Sequence, residues 1–383
     1  MNWTFNITLD INKIKFIIVS FLIVLSNACL AVSIDKGHDL EQLRGAMVGQ
    51  IITKKDIYNF AQNWNANHIR WALYWDGSSY WDKNNAWDDF SKVTDLLVYR
   101  KWLNYELDNL DSVLGYFEQL GIKVLIDLHT PPGGRAEDEV NRVFREQKYL
   151  DEFYKLWKDI AVRYKGREVI WGYELLNEPV QGRSSKVKTA LWHKIATQAA
   201  TLIRAVDSEH IIVFEPSPWA KPSAFKHLKP LDVAGIVYSF HLYEPHPFSH
   251  QGVEDHGPIG LTYPGQIDGE LWNKNRLKEE VQAVVDFQNK YKLAIYIGEF
   301  SSVRWTPDDS AYRYMKDSIE IFEENNWDWA YHAYRDDDDN RSWSVEHDNK
   351  RSNLIKTTKP TTRQKLLQSW FKHNKKAHYD LSD

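Results

Sequence analysis

The chain has 383 residues, with 48 Lys and Arg against 53 Asp and Glu, for a net charge of −5. A hydrophobic fraction of 43% argues against global disorder, and the negative balance argues against a polyanionic partner such as nucleic acid. The 17 Trp and 20 Tyr are a surplus that serves either aromatic core packing or a surface that stacks on flat apolar faces such as those of sugar rings.

The first element is a targeting segment. Lys13 and Lys15 precede the apolar run FIIVSFLIVL (16–25) and the small-residue stretch SNACLA, so residues 1–31 read as a secretory signal cleaved after Ala31, with residues 32–383 as one domain. The ten-residue run is too short to span a bilayer, which takes about 20 residues. The cleaved chain is expected to be exported to the periplasm or the medium, to lack a membrane span and to be a monomer. Lipid anchoring through Cys29 is the weaker alternative, because Ser26 and Asn27 make a poor lipobox. Cys29 is the only cysteine, so cleavage leaves no thiol chemistry and no disulfide.

From Arg44 onward, short β-like runs alternate with amphipathic stretches. The runs are 44–50, 68–75, 122–129, 169–178, 211–216, 236–243, 293–300 and 327–334. The stretches 146–164, 186–206, 275–291 and 309–325 carry helical periodicity, and 76–104 and 244–271 read as long loops. Near-continuous apolar strands are those of a parallel sheet covered on both faces by helices. Eight such units predict an α/β fold, a single-domain (β/α)8 TIM barrel. An open doubly wound sheet is the alternative, weakened by the lack of a G-x-G-x-x-G or P-loop after the first strand.

Many of these strands end on polar side chains. The second contains Arg70. The third ends in Asp127 and His129, the fourth in Asn177 and Glu178, the sixth in His241 and Tyr243, and the seventh in Glu299. In a barrel such ends meet around one mouth. No H-E-x-x-H spacing supports a metal, no G-x-S-x-G supports a serine nucleophile, and no cofactor motif is present. The Asp run at 336–339 is either a calcium loop or a solvated turn. Paired carboxylates surrounded by His, Arg and Tyr are the apparatus of glycoside cleavage.

These residues resemble glycoside hydrolase family 5, the retaining β-glycanases built on (β/α)8 barrels. Asn177–Glu178–Pro179 is similar to the family's acid/base motif, and Gly298–Glu299–Phe300 to its nucleophile motif. The resemblance implies that Glu178 is the acid/base, Glu299 the nucleophile and Asn177 the ligand of the sugar 2-hydroxyl. It makes Arg70 the partner of the nucleophile and places His129, His241 and Tyr243 near the sugar bound at the cleavage point. One position departs: His332 stands where the family usually places a Trp beneath that sugar, so Trp329 or Trp343 becomes the candidate for the missing ring. Trp305 is a further subsite candidate, and Trp219 either lines a subsite or caps the barrel. The implied substrate is a polysaccharide or oligosaccharide, and the implied activity is that of an endo-β-1,4-glucanase. A β-mannanase, a β-1,3-glucanase or an exo-β-glucosidase on the same machinery, or a non-catalytic carbohydrate-binding barrel, are the alternatives.

Overall fold

The computed structural model describes residues 34–48, 52–75, 90–182, 190–253, 257–335 and 340–380. The proposed signal segment with Cys29, most of the loop after the second strand and the Asp run at 336–339 lie outside the described residues.

Eight strands close into a parallel barrel: β1 (Arg44–Val48), β2 (His68–Ala72), β3 (Lys123–Asp127), β4 (Ile170–Glu174), β5 (Ile211–Phe214), β6 (Ile236–Leu242), β7 (Ile295–Phe300) and β8 (Asp328–Tyr334). Each pairs with its neighbour in chain order, and β8 pairs with β1. Helices α1 (Lys54–Tyr58), α2 (Leu96–Gln119), α3 (Gln147–Tyr164), α4 (Ala190–Arg204), α5 (Lys274–Glu280), α6 (Gln282–Tyr291), α7 (Ser310–Glu324) and α8 (Thr362–Phe371) lie between or after them. Strand residues are buried almost throughout, as expected of a sheet with helices on its outer face.

Three segments differ from the sequence expectation. The end of the expected loop 76–104 is the start of α2, capped by Asp95, whose carboxylate accepts the N–H groups of Leu97 and Val98 at 2.9 and 3.2 Å. The single helix expected over 275–291 is broken at Val281 into α5 and α6. Within the expected loop 244–271, residues 265–267 and 270–272 pair antiparallel around Asp268 and Gly269, both at positive φ, the turn that an Asp-Gly pair favours.

The barrel interior is layered. Near the N-terminal strand ends, His68 bonds the Tyr296 hydroxyl at 2.8 Å with Trp171 edge-on to both rings. The incoming segment closes this end: Trp171 donates to the Lys36 carbonyl, and Asp328 accepts from His38 and from the Leu43 amide. Above this layer the interior turns polar. Arg70, Asp127, Glu174, Glu215, Ser239, His241 and Glu299 are all buried. A register shift between Phe240 and His241 sets His241 opposite Glu299. Gly298 is required beside them, because a Cβ there would lie 2.8 Å from His241 Nε2 and 3.2 Å from Glu215 Oε1.

Candidate active site

Arg70, on β2, is the hub of the site. Its side chain is fully buried, and its N–H groups fan out to three carboxylates and an amide oxygen. Nε reaches Glu174 Oε2 at 2.6 Å, Nη1 reaches Glu299 Oε1 at 2.7 Å, and Nη2 reaches Asn177 Oδ1 at 2.8 Å and Asp127 Oδ2 at 3.1 Å. A buried cation persists only when its donors are matched. Burial works against the charged guanidinium, but Asp127, Glu174, Glu299 and Glu215 together hold its pKa well above the usual value.

The third and fourth strand ends interlock through Asn177. Its Oδ1 is taken by Arg70, so its Nδ2 is the group that donates to His129 Nε2, 3.2 Å away. That leaves His129 Nδ1 as the protonated nitrogen, donating to Asp127 at 2.8 Å. The amide keeps a second N–H that this pair does not use.

Glu178 follows on a strained backbone with φ at +43°, a conformation that persists only when its surroundings fix it. They do so from both sides. Its N–H donates to Glu215 Oε2 at 2.6 Å, and its carbonyl accepts from Arg135 at 2.9 Å. The Glu178 side chain is about a quarter exposed (24%). Its Oε1 lies 2.9 Å from His241 Nδ1. On the other side, His241 Nε2 is 2.7 Å from Glu215 Oε1.

Glu299, from β7, faces Glu178. Its Oε1 is held by Arg70, and its Oε2 accepts the Tyr243 hydroxyl at 2.8 Å, with His332 Nδ1 at 3.4 Å and His241 Nδ1 at 3.8 Å. A carboxylate oxygen of Glu178, one of Glu299 and a nitrogen of His241 all lie within 4.8 Å of one another. Burial raises the Glu299 pKa. The fields of His241, His332, Arg70 and His129 outweigh it and hold the carboxyl well below its usual range. Burial lowers the pKa of His332 itself. Burial also opposes the His241 cation, yet Glu215 and Glu299 push its pKa well above 6.5. Against the upward pull of burial, His241 brings Glu215 down to about 2. Burial, reinforced by Glu215 and Asp127, drives the Glu174 pKa the other way, well above its usual range, despite its Arg70 contact. Two groups of donors, Glu174, Glu215 and His241 and then Glu178, His241 and Glu299, are close enough to share a cation. Both include His241.

The aromatic expectations divide. His332 stands at the pair, its Nδ1 also 3.2 Å from Met47 Sδ. Trp343 is half-buried, with its ring 5.8 Å from His332, 5.9 Å from Tyr243 and 4.8 Å from His250. Trp329 is excluded as the missing ring. It is buried outside the barrel, stacked on Phe371 at 5.5 Å and donating to Glu323. Trp305 is not brought to the pair either. It is buried, donates to the Gln251 carbonyl at 2.7 Å and lies beneath Arg351. Trp219 is half-buried beside the Glu178 loop, its N–H facing the Pro179 carbonyl at 3.3 Å. Sequence reasoning passed over Tyr74, which is 44% exposed and edge-on to His129 at 4.9 Å. Its signal was its place one residue before Trp75, at the end of the second apolar run. Glu174 and Glu215, also near strand ends, act directly on the site: Glu174 on Arg70, and Glu215 on His241 and the Glu178 amide.

A parallel eight-stranded barrel that opposes two carboxylates at its mouth, one bound to a buried arginine, defines a barrel glycosidase. The chain belongs to the cellulase family, glycosyl hydrolase family 5, whose family model matches residues 34–376. It is a glycoside hydrolase. It is 27% identical to endoglucanase C of Acetivibrio thermocellus over 254 residues, covering 60% of this chain and 73% of that one. It is 24% identical to cellodextrinase A of Ruminococcus flavefaciens over 217 residues, covering 56% and 63%. Thermotoga maritima Cel5A, solved with cellobiose, shares the fold with a TM-score of 0.62 at 23% identity, covering 86% of this chain and 96% of that one.

Proposed function

We propose that this hydrolase is a retaining β-glucanase, an endo-β-1,4-glucanase, with Glu299 as nucleophile and Glu178 as acid/base. The observation that carries the reading is the approach of their carboxylate oxygens to within 4.8 Å. Retaining enzymes hold the two carboxyls about 5–5.5 Å apart for direct attack, whereas inverting enzymes leave about 6.5–9.5 Å for a water. Glu299, kept ionised by Arg70 and His241, attacks the anomeric carbon. The His241 Nδ1–H bonds Glu178 Oε1, which leaves Oε2 as the oxygen that passes a proton to the leaving group. Once the glycosyl ester forms, the negative charge of Glu299 is gone; Glu178 takes a proton from a water whose oxygen attacks the anomeric carbon, breaking the ester bond and returning Glu299 as a carboxylate. The spare amide N–H of Asn177 is placed for the sugar 2-hydroxyl, a bond that strengthens in the transition state. The endoglucanase relative supports the choice of a β-1,4-glucan.

A reducing-sugar assay over β-1,4-glucan, β-1,3-glucan and β-mannan, with product configuration followed by NMR, tests this. Release from β-1,4-glucan with the β-anomer formed first is expected. The α-anomer first would overturn the mechanism, and release from mannan alone would overturn the substrate.

We further propose that the enzyme is secreted, on the strength of Lys13, Lys15 and the apolar run that follows. Mass spectrometry of the exported protein is expected to find a first residue near Val32. An N-terminus at Met1, or a diacylated Cys29, would contradict cleavage there.

A further inference from the structure

Arg304 lies five residues beyond Glu299 and is fully buried, with Asp348 Oδ1 3.8 Å from its guanidinium. Its N–H groups bond backbone carbonyls of the loop after β8. Nε bonds the Arg341 oxygen at 2.9 Å. Nη1 bonds those of Asp348 and Lys350 at 2.7 Å each, and Nη2 those of Asn340, Arg351 and Asn353 at 2.9, 2.9 and 3.1 Å. The Arg304 backbone N–H takes the Ser342 oxygen at 2.9 Å. The Tyr331 hydroxyl takes that of Trp343, and buried Arg363 takes that of Ser344 at 3.0 Å. Five consecutive carbonyls, 340 to 344, are thus held by side-chain or backbone donors from outside the segment. Carbonyls in an irregular loop ordinarily find water. Binding them all to buried donors fixes the segment as firmly as a strand would.

What this segment presents is Trp343, whose ring meets Tyr243 and His332, the two side chains that contact Glu299 Oε2. We propose that Arg304 is a positioning residue for catalysis: it fixes the loop so that the Trp343 ring forms the apolar face against which the sugar attacked by Glu299 rests. The inference builds on the assignment of Glu299 as nucleophile. It explains how a barrel with His332 at the strand end supplies a stacking ring from a loop instead.

A double-mutant cycle on an aryl β-cellobioside tests it. Trp343→Ala and Arg304→Met are each expected to lower kcat/KM by about 10- to 100-fold, since small displacements of positioning groups cost that much. The double variant is expected to be no worse than the poorer single one, because both changes remove one function. Additive losses, or an unchanged kcat/KM in Trp343→Ala, would overturn the proposal. If Arg304→Met does not fold, Arg304→Lys takes its place in the cycle, as it keeps the charge and loses the planar fork. Covalent labelling of Glu299 by a 2-fluoro glycoside in the unsubstituted enzyme separates the two assignments. A label with additive losses rejects the role of Arg304 alone, and no label rejects the nucleophile.

Discussion

His241 is charged because of where it stands. Burial disfavours the imidazolium, but Glu215 on one nitrogen and Glu178 on the other, with Glu299 nearby, raise its pKa well above 6.5. A raised folded pKa stabilises the protein fully below the unfolded value and ceases to do so as pH rises through the folded one. Glu299 has the opposite sign. Its lowered pKa contributes above about 4.5 and is lost as pH falls through the folded value. Both contributions are complete between about 4.5 and 6.5, the window set by those two shifts. Glu215→Gln is therefore expected to return the His241 titration to the pH 5–8 range in imidazole 15N spectra, where the parent ring stays doubly protonated. Losing one partner of a buried ion pair should also cost roughly 3–5 kcal/mol in urea unfolding at pH 7. A ring that remains doubly protonated in the variant would show that Glu215 is not what sustains the charge.

The strands were legible because a covered parallel sheet demands apolar runs, and each of the eight appears where such a run lies. Their polar endings were legible for the converse reason: Arg70 and Glu299 are costly to bury without partners, so they mark the mouth. Helix α2 was missed although its buried Tyr99, Trp102, Leu103, Leu107, Leu110, Val113, Leu114 and Phe117 keep helical spacing. Charged residues interleaved among them, Arg100, Lys101 and Glu106 included, blurred the pattern. Trp329 could have been set aside from sequence. It is an odd number of residues from His332 along one strand, so the two side chains point to opposite faces. Trp305 could not, because its nearness to Glu299 in the chain says nothing about which way a loop turns its indole. The register shift that sets His241 against Glu299, and the carbonyl-filled surroundings of Arg304, depend on the closed barrel and leave no mark in a local window.

At the scale of the molecule, the barrel separates closure from chemistry. The segment from Asp35 to Leu43 seals the N-terminal end through Trp171, Asp328 and their partners, and the strands carry Arg70, Glu178, His241 and Glu299 to the other. Glu178 and Glu299, the proposed acid/base and nucleophile, come from just after β4 and from β7, more than a hundred residues apart in sequence (299 − 178 = 121), and only closure of the sheet brings them face to face. Capture of the covalent intermediate is the most direct test of that arrangement. A 2-deoxy-2-fluoro β-cellobioside with a good leaving group should inactivate the enzyme, since fluorine slows the breakdown of the ester more than the leaving group allows its formation to slow. Digestion and mass spectrometry should find the sugar on the peptide containing Glu299, in the parent enzyme and in Glu178→Ala, and no label in Glu299→Ala. A label on Glu178, or no label together with inverted product, would contradict direct attack by Glu299.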